Sequence, residues 1–309
     1  MLRLNSCFRS GAEEPFKTAM PEIFNHRVKR NDTCYICQGV IFRFNPTQRR
    51  TLNPEPAVMT ADQYVASVIQ KYAVNTASAS PASKAANHVI PVLKAWAGQS
   101  LLGIQFSGSY AKGTTISLGT DVDLFISLDS TQPVKDIYWS LFNYAAAQQL
   151  RPQAQNVSIR VQSNGLNVDL VPGRKQRNSS EDHSLYKRKK DSWVQTNVAQ
   201  HIRIVSTSGR IDEIRAIKIW RERHHLDLPS FYLELATIDA LKGNRIASLA
   251  ERVMTVLRYL ASDFKLARIV DPANTNNIIS DDLGPEEKRV IAFAAQKSQA
   301  MQKWSEILW

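Results

Sequence analysis

The sequence predicts an α+β protein, a mixed sheet with flanking helices packed on a C-terminal helical domain. Leu101 to Phe106 reads as a strand, and Asp121 to Leu128 and Leu166 to Val171 show the two-residue apolar alternation of strands. Val134 to Gln149 between them has the 3.6-residue period of a helix, and after residue 190 that helical period takes over almost throughout.

Residues 1–58 hold Pro15, Pro21, Pro46, Pro54 and Pro56 and keep neither period, so they are expected to be a poorly structured N-terminal extension. Cys34-Tyr-Ile-Cys37 has the spacing of half a zinc knuckle. Only His26 and Cys7 are near enough to complete it, and without a second close pair the thiols read as incidental. Met59 reads as the natural start, because Thr60 and Gln63 form a capping box that opens a helix over 60–74. A second helix is expected over 82–97. After the strands at 101–106 and 121–128 and the helix at 134–149, Val157 to Val161 and Leu166 to Val171 form a pair joined by the turn Ser163-Asn164-Gly165. Helices are expected near 192–206, 210–225, 230–241, 245–262 and 285–308. The division is then a mixed α/β domain at 59–190 and a helical domain at 191–309.

The 309 residues are 43% hydrophobic, enough to bury a sizeable core. No run approaches the roughly 18 apolar residues of a membrane span, and the N-terminus lacks a signal h-region, which points to the cytoplasm and away from membranes. Three cysteines, an odd count, make no disulfide framework. A net charge of +11 favours polyanionic partners without separating free NTPs from nucleic acid.

The chemistry is carried by Phe106-Ser-Gly108-Ser109-Tyr-Ala-Lys-Gly-Thr114 and by Asp121-Val-Asp123. Gly108 ends a strand where a backbone without a side chain can approach a phosphate, and the amides and the Ser109 hydroxyl that open the next helix donate to its oxygens. Asp121 and Asp123 project from one face of their strand while Val122, Leu124 and Ile126 cover the other. Two adjacent carboxylates repel each other unless a cation is present. Asp169 stands alone on the polar face of Leu166-Asn-Val-Asp-Leu-Val171. Three strand carboxylates can hold two Mg²⁺ or Mn²⁺ ions, one for a triphosphate and one for the attacking hydroxyl, with Asp169 as ligand and base.

Gly108-Ser109, Asp121-X-Asp123 and Asp169 resemble the active-site signature of the polymerase-beta nucleotidyltransferase superfamily. Trp193-Val-Gln-Thr-Asn, Ile214-Arg-Ala-Ile-Lys218-Ile-Trp220, Leu228-Pro-Ser230-Phe231-Tyr-Leu-Glu234-Leu and Asp271-Pro272 with Asn276-Asn277 narrow this to the oligoadenylate synthase and cyclic GMP-AMP synthase branch. Its bacterial members are the cyclic-oligonucleotide synthases of antiphage defence. The resemblance runs from about residue 60 to near the end and implies transfer between NTPs, ATP among them, giving cyclic or linear products. It also implies an activating protein or nucleic acid. Lys218 and Ser230 match the family's contacts to the donor triphosphate, and Phe231 matches its base-stacking aromatic. Val198 stands where bacterial members often carry proline, and nothing resembles the zinc insertion of the animal enzyme.

Lys218 lies on a largely apolar helix face, where an ammonium needs an anion; if that anion is the triphosphate, removing its charge should cost no stability. The stretches Pro172 to Arg177 and Tyr186 to Lys190 carry seven basic residues, read mostly as a solvated loop. His224-His225 reads as a pair favoured by a helix C-terminus. The rival readings are an RNA-tailing enzyme of the CCA-adding or poly(A) type, a transferase acting on a protein or small molecule, and a catalytically inactive RNA-binding module.

Overall fold

The computed structural model describes residues 59–309 except 78, 120 and 178–180, so Cys7, His26, Cys34, Cys37 and the expected extension lie outside the described residues. The first helix, α1 (Ala61–Lys71), has the expected capping box: the Thr60 amide donates to the Gln63 side chain, and the Gln63 amide donates to the Thr60 hydroxyl. Helix α2 (Pro81–Ala97) follows, then β1 (Leu101–Phe106), the short α3 (Gly108–Lys112), β2 (Asp121–Leu128), α4 (Val134–Ala147), β3 (Gln153–Ala154), β4 (Ile159–Ser163) and β5 (Leu166–Lys175). Asn164 and Gly165 both take positive φ, 49° and 77°, and Ser163 pairs with Leu166, which makes the turn a two-residue hairpin whose backbone twist suits the flanking strands.

The strands assemble in the order β1-β2-β5-β4-β3. β2 and β5 run parallel, with Asp123 beside Asp169 and Asp121 beside Asn167, while β1 and β4 flank them antiparallel. Val122, Leu124, Ile126, Val168 and Leu170 face α2 and α4 in one buried cluster. Alternation sends Asp121, Asp123 and Asp169 to the other face.

β6 (His183–Lys187) and β7 (Ser192–Thr196) extend the sheet where the sequence reads as a loop and the start of a helix. Basic residues and a short apolar run hid their alternation, and pairing decided the outcome. Helices α5 (Val198–Ser206), α6 (Ile211–Arg223), α7 (Ser230–Ala240) and α8 (Leu249–Ala261) come next, then a small hairpin, β8 (Val270–Asp271) and β9 (Asn274–Ile278), absent from the sequence reading. The expected helix at 285–308 is broken into α9 (Pro285–Ala300) and α10 (Trp304–Ile307). Helix α1 joins α6, α7, α8 and α9 in a second buried cluster containing Val65, Ile214, Ile217, Trp220, Tyr232 and Leu257. His224 lies past the last turn of α6, stacked between Trp220 and Trp309, and burial holds its imidazole below its ordinary pKa, so packing and not the helix dipole accounts for it. Among the described residues no helix is long and apolar enough to cross a membrane.

Gly173 marks the tightest point of β5, since a Cβ there would meet the Phe125 ring at 2.6 Å. Phe125 is itself buried and packs edge-on against His183. Gly173→Ala is expected to cost about 1–3 kcal/mol, the range for overpacking a filled interior. Gly103→Ala, where a Cβ meets nothing within 4 Å, should change the melting temperature little. Thermal melts of both variants by circular dichroism make the comparison.

Candidate active site

Gly108 is required by its neighbour. Its φ is +55°, and a Cβ there would lie 1.8 Å from Oδ2 of Asp123. The turn into α3 is held against β2 by the Ser107 amide, which donates to the Asp123 carbonyl at 2.8 Å. The first residues of α3 therefore stand directly over the carboxylates, with Ser109 beside Gly108.

The three carboxylates occupy neighbouring strands. Asp169 is buried, and Asp123 is surrounded by protein on most sides although part of its surface stays open. Burial, with the charge of Asp169 next to it, pushes the Asp123 carboxyl up to about 7, against the opposing pull of Lys112. Arg160 of β4 bridges the remaining two: Nε donates to Asp169 Oδ1 at 2.9 Å, while Nη2 donates to Asp169 Oδ2 at 3.0 Å and to Asp121 Oδ2 at 2.5 Å. Asn167 also donates to Asp121. Arg160 was missed by the sequence reading, yet the alternation of Ile159 and Val161 into the core puts it on the carboxylate face.

Among the described residues no three His, Cys, Asp or Glu side chains converge as a ready metal cage. The donor chemistry nevertheless fits a hard divalent cation: oxygen ligands only, in adjacent register, one of them pushed up to about 7 by burial and by the charge of Asp169. Arg160 supplies the positive charge in their midst. Asp121, Asp123 and Asp169 are the residues that would hold the ion.

Behind α3 lies a buried ionic cluster. Glu234 of α7, fully buried, accepts from Lys112 Nζ at 2.8 Å, Lys218 Nζ at 2.6 Å and Thr114 Oγ1 at 2.7 Å. Lys218 also donates to Thr114 at 2.9 Å. Burial alone would raise the Glu234 carboxyl, but the two ammonium groups hold it down at about 2, so it is ionised. Burial pulls the Lys218 ammonium below its ordinary range, and Glu234 pulls back. The anion that Lys218 needs is thus Glu234, and its ammonium is committed within the protein core.

Lys112 also stands over the ring of Phe231, 4.3 Å from the centroid, and the far side of the packing is His201, 4.3 Å from Phe231. From there a cleft of about 490 Å³ opens between the sheet and the helical region, lined among others by Thr196, His201, Phe231, Asn277 and Lys187. His201 Nε2 meets Asp271 at 2.7 Å, and Asn277 donates to the same carboxylate. Ser230 starts α7 and accepts from Arg221. A cavity of about 530 Å³ between α5, α7 and β8 is lined by none of the residues named above for the site. The structure therefore gathers Gly108, Ser109, Asp121, Asp123 and Asp169, joins Phe231 to them through Lys112, and sets Lys218 behind them.

Two outcomes follow from the charges. Lys218→Met leaves Glu234 buried with one ammonium fewer, so it should lose about 3–5 kcal/mol in urea unfolding at pH 7, contrary to the sequence expectation of no loss. Asp123→Asn should do the reverse. The Asp123 carboxyl titrates at about 7 folded against 3.8 as a free side chain, so the folded state holds more protons in that interval and stability falls as pH rises through it. In EDTA at pH 8 the Asn variant should melt above the parent, and the difference should vanish by pH 4.

No family model matches the chain. It is 25% identical to a cyclic AMP-AMP-AMP synthase of Escherichia coli (strain MS 115-1) over 57% of its own length, and the match spans 63% of that relative. An E. coli MS115-1 structure of CdnC in complex with a HORMA protein superposes with a TM-score of 0.63 at 19% identity, covering 77% of this chain and 89% of that one. The Bradyrhizobium diazoefficiens CD-NTase CdnG, solved with GTP, gives 0.67 at 12% identity over 78% and 90%.

Proposed function

We propose that the chain is a bacterial cGAS/DncV-like nucleotidyltransferase, a metal-dependent synthase joining NTPs, ATP among them, into cyclic or linear oligonucleotide second messengers for antiphage defence. The observation that carries this reading is the pairing of Asp123 with Asp169 on parallel strands directly under Gly108. Asp121, Asp123 and Asp169 would hold two divalent ions, which would supply charge neutralisation for the triphosphate and lower the pKa of the attacking hydroxyl. Gly108 lets the backbone approach a phosphate, and the Ser109 hydroxyl and the first amides of α3 donate to its oxygens. Asp169 orients the attacking hydroxyl and takes its proton. Phe231 lines the cleft beside His201 and under Lys112, where a base entering the cleft would meet it, and Ser230, bonded to Arg221 of α6, precedes it at the start of α7. Lys218 acts by fixing Glu234 and through it Lys112, which keeps α3 over the carboxylates. Arg160 neutralises Asp121 and Asp169 while no cation is bound, and its guanidinium matches a phosphate as well as it matches a carboxylate.

Incubation with labelled NTPs and Mg²⁺, and no other acceptor, should give oligonucleotide products identifiable by mass spectrometry. EDTA should abolish them, and Asp121→Asn with Asp123→Asn should leave under a few per cent of turnover with the circular dichroism spectrum retained. Products appearing only when an RNA acceptor is added would overturn the synthase reading in favour of a tailing enzyme, and activity surviving the double substitution would remove the carboxylates from the chemistry.

A further inference from the structure

The basic stretch of β5 and β6 does not belong to the carboxylate site. Asp169 and Arg174 are five residues apart on β5, about 16 Å along the strand, and alternation puts them on opposite faces. Arg174 pairs in register with Leu128 and Ser184, and Trp193 pairs with Tyr186, two residues along from Ser184. Arg174, Ser184 and Trp193 therefore share the helix-covered face, at the end of the sheet remote from the catalytic turn.

There they line a cavity of about 460 Å³ together with Lys175, Arg177 and the hydroxyl-bearing Ser130. No acidic side chain lines it among the described residues. Arg174 gives one donor to the Gln132 carbonyl and keeps the rest of its fork. Neither Lys175 nor Arg177 makes an ion pair with any described residue. Of the neighbouring acids, Asp182 accepts from Gln195 and Asn197, and Asp191 accepts from Lys135 and Tyr186. Trp193 is 60% exposed, a large aromatic face left in water at the rim of a cationic hollow.

Three cations without acidic partners among the described residues call for a polyanion, and an open indole calls for a planar ring to stack on. Both demands are met in one ligand whose charge and ring are a few bonds apart, and the volume falls in the range of small-ligand sites. We propose that this cavity is a second nucleotide site, separate from catalysis, in which Arg174, Lys175 and Arg177 hold phosphate and Trp193 stacks on the attached nucleobase. The same chemistry is presented by a free nucleotide and by a single-stranded nucleic acid.

Binding of a fluorescein-labelled decathymidylate to the full chain, followed by anisotropy in EDTA at low salt, tests this without requiring turnover. Trp193→Ala is expected to weaken binding about tenfold. Lys175→Ala with Arg177→Ala should weaken it at least as much and flatten the salt dependence by one to two phosphate contacts, roughly 0.7 each in the log–log slope. Lys288→Ala with Lys303→Ala, an equal loss of charge on the helical region, serves as control and should change little. Unlabelled ATP displacing the probe would mark a free nucleotide as sufficient, and failure of ATP to compete would mark a strand as the ligand. Melting curves check that each variant is folded, which the exposure of these side chains makes the expected result. Full affinity in the Trp193 variant, or equal losses in the cavity and control doubles, would reduce the site to diffuse surface charge and sink the proposal.

Discussion

The ionic knot around Glu234 is the constraint on which the rest of the site depends. A carboxylate with no exposed surface in the middle of α7 is tolerable only when its oxygens are fully used, and Lys112, Thr114 and Lys218 use them. These partners come from different places: α3 and the residues after it on one side, α6 on the other. The knot thus ties the short helix α3 to the helical core. Helix α3 has only five residues, too few to hold itself by its own hydrogen bonds, so its position is set from behind. Because Gly108 leaves no room for even a methyl group above Asp123, a small shift of α3 would either open the site or collide with it.

The same knot shapes the electrostatics in front of it. Lys112 and Lys218 both lower the cost of ionising Asp123, and Arg160 donates to the carboxylates of Asp121 and Asp169. Counting Glu234, four carboxylates face three cationic side chains, which leaves one negative charge in excess. Burial and the charge of Asp169 push the Asp123 carboxyl up to about 7, so it is the group that takes a proton as pH falls through that value. The site is close to neutral when protonated and gains room for positive charge when that proton leaves. Such a balance favours a cation that arrives with a phosphate over one that arrives alone, since Arg160 then exchanges one anion for another.

Much of this was legible before any coordinates, and the reasons for success and failure are physical. Strict alternation made Asp121, Asp123 and Asp169 visible as one polar face, and strand pairing then set Asp123 beside Asp169. The Thr60 capping box and the Asn164-Gly165 turn are local rules and were read correctly. Non-local effects were not. The anion facing Lys218 comes from the next helix, sixteen residues away in sequence, and spacing on one helix could not choose between a ligand and Glu234. β6 and β7 failed as predictions because Lys187 to Lys190 reads as solvated charge until pairing supplies the missing ladder. Arg160 was within reach, since its neighbours Ile159 and Val161 declare the core face, but a lone arginine on a strand carries no signal until its carboxylate partners are aligned with it.

β5 shows how one strand can organise several functions at once. It pairs with β2, β4 and β6, and its alternate side chains serve different purposes. Val168 and Leu170 fill the core, Asp169 joins Asp121 and Asp123 on the opposite face, and Arg174 emerges beyond the core into the cationic hollow. A slip of one residue would send Asp169 into the apolar cluster and expose Leu170 among the carboxylates, so the register has no stable alternative. Two local features lock it. The Asn164-Gly165 turn sets the offset against β4, and Gly173 admits the Phe125 ring at the only place where β5 has no side chain. The position of each charge in the sheet is therefore inherited from packing that carries no charge at all.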